Sequence, residues 1–156
     1  MKRILTATLL VCIMIAFSSF AIASNSATKD ECVSKCKIAA KMVQEKGVDA
    51  TFAVINDKTG PFVWKDSYIY AVDSETGIIL AHAIKPGLIG KDLMALKDVN
   101  GTMIFVEITK GANAASGEAW INYMWPKPGE KKPSKKTVYV YRVPGQDIAV
   151  CAGIYE

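Results

Sequence analysis

The hydrophobic period of this chain changes once, just before residue 60, and that change restricts its fold more than any other feature. Between Thr28 and Gly47 apolar residues recur at helical spacing (Cys32, Val33, Cys36, Ala39, Ala40 and Val43), and Lys35, Lys37, Lys41 and Glu45 take the opposite face. Thr28 and Glu31 have the spacing of a capping box, and Gly47 suits a helix end. Ala50 to Ile55 adds a further helical turn or two before Asn56-Asp57.

Beyond that point β-branched and aromatic residues dominate. Tyr68 to Val72 and Ile78 to His82 flank a turn cluster ending in Gly77, which predicts a β-hairpin. Strict alternation puts Tyr68, Tyr70 and Val72 on one face of the first strand, and Ile78, Leu80 and His82 together on the second. Lys85 to Gly90 reads as a loop and Lys91 to Leu96 as a helical turn. Three more strand-like runs follow: Gly117 to Trp125, Thr137 to Val143 and Asp147 to Tyr155. A Pro/Gly/Lys loop over 126–134 separates the first two, and a tight turn at Pro144-Gly145 the last two. Met103 to Ile108 suits either a strand or the start of a helix running to Ala115, and periodicity does not decide between them. One long helix packed on an antiparallel sheet of about five strands is an α+β domain.

The first residues stand apart. Lys2 and Arg3 precede a nearly unbroken apolar run from Ile4 to Phe17, and Ala21-Ile22-Ala23 offers the small residues that a signal peptidase reads. Residues 1–23 are therefore expected to be a signal peptide, and the mature protein periplasmic or otherwise exported. The alternative is a membrane anchor over residues 4–23. No second apolar run of spanning length follows, so no membrane insertion is expected after cleavage, and signalling would pass through a partner.

Several chemistries find no support. Without Lys2 and Arg3 the formal charge falls from +4 to +2. The remaining basic excess sits in Lys127, Lys131, Lys132, Lys135 and Lys136 among Pro and Gly, the pattern of a solvated hairpin, so no nucleic-acid partner is expected. His82 is the single histidine, and no nucleotide-binding glycine motif or nucleophile elbow occurs. No enzyme activity, metal or cofactor is expected. The expected mature chain keeps three cysteines, Cys32, Cys36 and Cys151, an odd number for an oxidising compartment.

Seven blocks in order carry a resemblance. They are Phe62 to Tyr70, Gly77 to His82, Gly87 to Leu93, Asp98 to Gly101, Trp120 to Pro128, Lys136 to Tyr139 and Ala152 to Tyr155. Together they resemble a single Cache domain over residues 28–156, the extracytoplasmic sensor module of many bacterial chemoreceptors and histidine kinases, known also as a stand-alone exported protein. The resemblance implies a long N-terminal helix on a five-stranded antiparallel PAS-like sheet, with short helices and loops covering a pocket. It also implies helix over Met103 to Ala115.

Its usual ligands are small organic acids and related metabolites, so a carboxylate ligand and a possible membrane receptor are the partners it implies. A buried carboxylate needs hydrogen-bond donors and preferably a cation. The matching positions are His82 and Lys136, with Tyr70 and Tyr123 as phenol donors and Trp64 and Trp120 as walls. Arg142 is an alternative cation. Alternation sets Trp120 and Tyr123 on opposite faces of their strand, so both line the pocket only if that strand twists or bulges. Two positions depart from the family pattern: Ala83 stands where proline is frequent, and Cys151 where glycine is common. A Cys36–Cys151 or Cys32–Cys151 bridge would staple helix to sheet, with Cys32–Cys36 as a strained rival. The other reading of the chain is a protein-interaction module with a vestigial pocket and the Lys-rich hairpin as its contact surface.

Overall fold

The structure is a computed structural model that describes residues 25–156. The expected signal peptide, residues 1–23, lies outside the described residues. Among the described residues no helix is long and apolar enough to cross a membrane.

Helix α1 (Lys29–Lys46) begins at the expected capping box. Thr28 Oγ1 accepts from the Glu31 N–H at 3.2 Å, and the Glu31 carboxylate accepts from the Thr28 N–H at 2.8 Å. Its buried stripe of Cys32, Cys36, Ala39, Ala40 and Val43 is built from small side chains, which lets the helix lie close to a sheet. Gly47, at φ 86°, ends α1 with a bond to the Val43 carbonyl and turns the chain into α2 (Val48–Asn56). That left-handed φ is cheap only for glycine.

Two short strands, β1 (Val63–Trp64) and β2 (Ser67–Tyr68), form a ribbon of their own. The main sheet contains β3 (Tyr70–Asp73), β4 (Ile79–His82), β5 (Glu118–Pro126), β6 (Pro133–Arg142) and β7 (Ile148–Tyr155). Their order is β4-β3-β7-β6-β5, antiparallel throughout. This is the α+β architecture the sequence predicts. The β5–β6 ladder runs further than expected, to a Pro126–Pro133 pair, and shortens the Lys-rich loop to residues 127–132. Both prolines sit at the open end of the ladder, where a missing donor costs least.

The helix implied over Met103 to Ala115 is α3 (Ile104–Ala112). Its buried residues Ile104, Phe105, Ile108 and Ala112 share one face, a period that a strand could not bury. No helical turn forms over Lys91 to Leu96; a 3-10 turn falls earlier, at Pro86–Leu88, where proline presets φ.

The sheet carries a core on each side. One lies under α1 and α2, with Ile69, Ala71, Tyr139, Val150 and Ala152. The other lies under α3 and the covering loop 83–103, with Tyr68, Tyr70, Tyr123, Val138, Val140 and Cys151. In β4 the alternation slips. Ala71 pairs with Ala81 but Val72 with Ile79, so Leu80 is an extra residue. Ile79 and His82, rather than Ile78, Leu80 and His82, therefore share the α3 side.

The cysteine staple does not form. Among the described residues Cys32, Cys36 and Cys151 are buried free thiols. Cys32 and Cys36 face the sheet from α1, whereas Cys151 points to the other side, because its neighbours Val150 and Ala152 take the α1 face. Burial pushes the Cys32 thiol up to about 11 and the Cys151 thiol to about 12, so both stay neutral.

Candidate ligand pocket

Between the sheet, the start of α3 and the covering loop lies an enclosed space with two kinds of wall. Tyr68, Tyr70, His82 and Tyr123 make its polar side, and Ile79, Leu88, Ile104, Phe105 and Trp125 its apolar side. The free volume is about 10 Å³, room for one water molecule. No carboxylate is among these lining residues.

The polar side is held from several elements. The Tyr70 and Tyr123 hydroxyls meet at 3.0 Å across the sheet. Burial raises both phenols well above their ordinary pKa, so they remain O–H groups. His82 lies between tyrosines, its ring centroid 4.9 Å from Tyr68 and 5.6 Å from Tyr70. Its backbone N–H donates to Asn56 Oδ1 at the end of α2, at 2.8 Å. Its Nδ1 accepts from the Lys85 N–H at 3.1 Å, which places the ring proton on Nε2, a donor with no protein partner among the described residues.

Lys136 supplies the nearby cation. It is 1% exposed, yet its Nζ forms no salt bridge among the described residues. The nitrogen bonds the Tyr68 hydroxyl at 3.1 Å and sits 4.2, 5.0 and 5.5 Å from the ring centroids of Tyr68, Tyr155 and Tyr70. Lys136 does not itself line the space; it stands behind Tyr68. Its stem crosses β7 at Gly153, where an added Cβ would lie 2.9 Å from Lys136 Cε.

A family model for the single Cache domain (sCache_2, Single Cache domain 2) matches residues 23–156. The chain belongs to this family. It is similar to the methyl-accepting chemotaxis protein McpP of Pseudomonas putida, with 31% identity over 90 residues, 58% of this chain but 16% of that receptor. The chain thus matches a small part of a much longer relative. A solved methyl-accepting chemotaxis protein from Vibrio parahaemolyticus superposes with a TM-score of 0.68 at 27% identity, over 81% of this chain and 87% of that one. A second structure, solved to explain carboxylic acid recognition by a Cache chemosensory domain, gives 0.63 at 27% identity, over 78% and 80%.

This Cache domain gathers four of the six residues expected at its site: Tyr70, His82 and Tyr123 around the space, and Lys136 behind it. The two tryptophans lie elsewhere. Trp64 pairs with Ser67 and packs into the α1-side core beneath Lys35, whose Nζ is 4.9 Å from the ring. Trp120 falls on the α1 side as well, 38% exposed and 5.2 Å from the Tyr139 ring. With no bulge in β5, it and Tyr123 keep the opposite faces that alternation gives. Arg142 is six residues beyond Lys136, about 20 Å along β6, and bonds Asn113, Gln146 and Asp147. Sequence reasoning missed Tyr68 and Trp125 as lining residues. The signal was available: each is two residues from a chosen tyrosine, on the same face.

His82 also gives the Cache domain a signature in acid. Loss of hydration on burial, then the charges of Lys136 and Lys85, lower its pKa to about 3. In the unfolded chain the imidazole titrates near 6.5. Between those values the unfolded chain binds a proton that the folded chain refuses. Stability is therefore full above pH 6.5 and falls as pH drops, by up to about 1.4 kcal/mol per unit. Denaturant unfolding should show this slope between pH 6.5 and 5, above the range of the carboxylates, and His82→Gln should flatten it. A flat wild-type profile would mean that the folded state accepts the proton.

Proposed function

We propose that this domain binds a small monocarboxylate in the space beside Tyr68, Tyr70, His82 and Tyr123, and acts by binding rather than by chemistry. The observation that carries the reading is the sign of the polar groups. The His82 Nε2–H and the phenol hydrogens not spent on the Tyr70–Tyr123 bond are donors, Lys136 stands behind Tyr68 as the cation, and no acid among the lining residues competes for them. Such a set lacks an anion to complete it. A second carboxylate would find no second cation there, which argues against diacids. The apolar wall suits a short hydrocarbon tail.

Because the free space holds about one water, a ligand enters only if cover or side chains move. The covering loop brings Leu88 directly against the space, so its displacement opens the site. The relative studied for carboxylic acid recognition supports the ligand class, and the chemoreceptor relatives support a sensory role read by a membrane receptor. The same relatives, with the apolar leader over residues 4–17, support an extracytoplasmic domain released by cleavage after Ala23.

Thermal unfolding with acetate, propionate, butyrate and succinate, against sodium chloride at equal ionic strength, tests this. A monocarboxylate at one hundred times its Kd should add about 2.7 kcal/mol, or roughly 8 °C in Tm. Succinate should add little. An unchanged Tm with every acid would overturn the reading in favour of an interaction module with a closed pocket.

A further inference from the structure

Trp125 borders two spaces. Inside, it completes the apolar wall of the binding space together with Ile104. Outside, the same two residues, with Leu96, Val99, Met124 and Pro133, line an open groove of about 170 Å³. The inner space is about 10 Å³. The partition is braced on both sides. The Lys85 Nζ from the covering loop sits 4.8 Å from the Trp125 ring centroid, and the Tyr123 ring meets it edge-on at 6.2 Å. Ile104 is 1% exposed at the start of α3, whereas Val99 on the rim is 70% exposed.

We infer that Trp125 sets the length of acid the domain accepts, by closing the apolar end of the binding space against the outer groove. This rests on the monocarboxylate reading above and adds to it a chain-length limit and the residue responsible. The polar groups fix the carboxylate end of any ligand. Its tail then runs toward Ile79, Leu88, Phe105 and Trp125. In the wild type a long tail meets the indole. Without the indole it continues into a groove that is already apolar on several sides. Each methylene transferred there is worth about fourfold in affinity, the equivalent of about 0.8 kcal/mol.

The test is the ratio of hexanoate to acetate affinity, measured by calorimetry in wild type, Trp125→Ala and Trp125→Leu. The wild type should bind acetate at least tenfold more tightly than hexanoate. Trp125→Ala should shift the ratio toward hexanoate by at least thirtyfold, with Trp125→Leu intermediate. The leucine variant keeps apolar bulk in the wall, so the ratio stays measurable if the alanine variant folds poorly. A ratio within threefold of wild type in a folded variant, or wild-type affinity for hexanoate equal to that for acetate, overturns the inference alone. Failure of every acid to bind the wild type overturns the monocarboxylate reading and this inference with it.

Discussion

Lys136→Met should weaken carboxylate binding by about thirtyfold or more while leaving the domain at least as stable as the wild type. The two effects have opposite signs because the lysine is buried without a carboxylate partner. Its nitrogen has one hydrogen bond, to Tyr68, and three aromatic faces, but no salt bridge among the described residues. Such an arrangement costs desolvation that the fold does not recover. Methionine keeps the length and most of the volume of the side chain, and its thioether packs well against aromatic rings. Removing the cation that stands behind the Tyr68 hydroxyl should cost about 2–5 kcal/mol of binding, on the order of thirty- to several-thousandfold in Kd. Calorimetry with propionate and a thermal melt of the same protein read both effects. A Tm several degrees below wild type would show that Lys136 holds the fold together and is not kept for a ligand.

Gly153→Ala should have the second-largest effect, and here stability and binding fall together. The new Cβ would lie 2.7 Å from Val138 Cγ2, 2.8 Å from the Thr137 carbonyl oxygen and 2.9 Å from Lys136 Cε. The lysine stem can swing aside; the carbonyl cannot, because β6 and β7 are paired along their length from Lys136–Tyr155 to Arg142–Ala149. The Ser67 hydroxyl adds a further restraint by donating to the Gly153 carbonyl at 2.7 Å. Overpacking of this kind costs about 1–3 kcal/mol, which lowers Tm by roughly 3–10 °C. The stem of Lys136 is forced from its track across β7, so propionate affinity should drop at least tenfold. An alanine variant with wild-type Tm and affinity would mean that β7 gives way locally and that the close approach at Gly153 is incidental.

Much of this fold was legible from period alone. Small residues at helical spacing from Cys32 to Val43 gave α1 its buried stripe, and the turn cluster before Gly77 gave the β3–β4 hairpin. What escaped was decided by contacts that no local pattern records. Leu80 is an extra residue because β4 slips against β3, and that slip moves Ile79 to the pocket side. Met103 to Ile108 stayed ambiguous because β-branched residues suit both periods, and the face it covers on β5 and β6 makes it helix. The family blocks supplied that answer where periodicity did not.

The site was legible in part for a similar reason. Alternation separates Trp120 from Tyr123, and the same rule sets Trp125, two residues beyond Tyr123, on the tyrosine's face. Trp64 was misplaced because its orientation depends on the β1–β2 ribbon, in which its partner Ser67 faces away from the pocket while Tyr68 faces into it. Lys135 and Lys136 both lie in β6, and only the alternation of that strand separates them, turning Lys136 inward and Lys135 out toward Glu156.

The three unpaired thiols have a practical corollary. Among the described residues the fold is closed by side-chain packing on both sides of its sheet, with Cys32 and Cys36 on one side and Cys151 on the other. A reducing agent is therefore expected to leave the Tm of residues 25–156 unchanged.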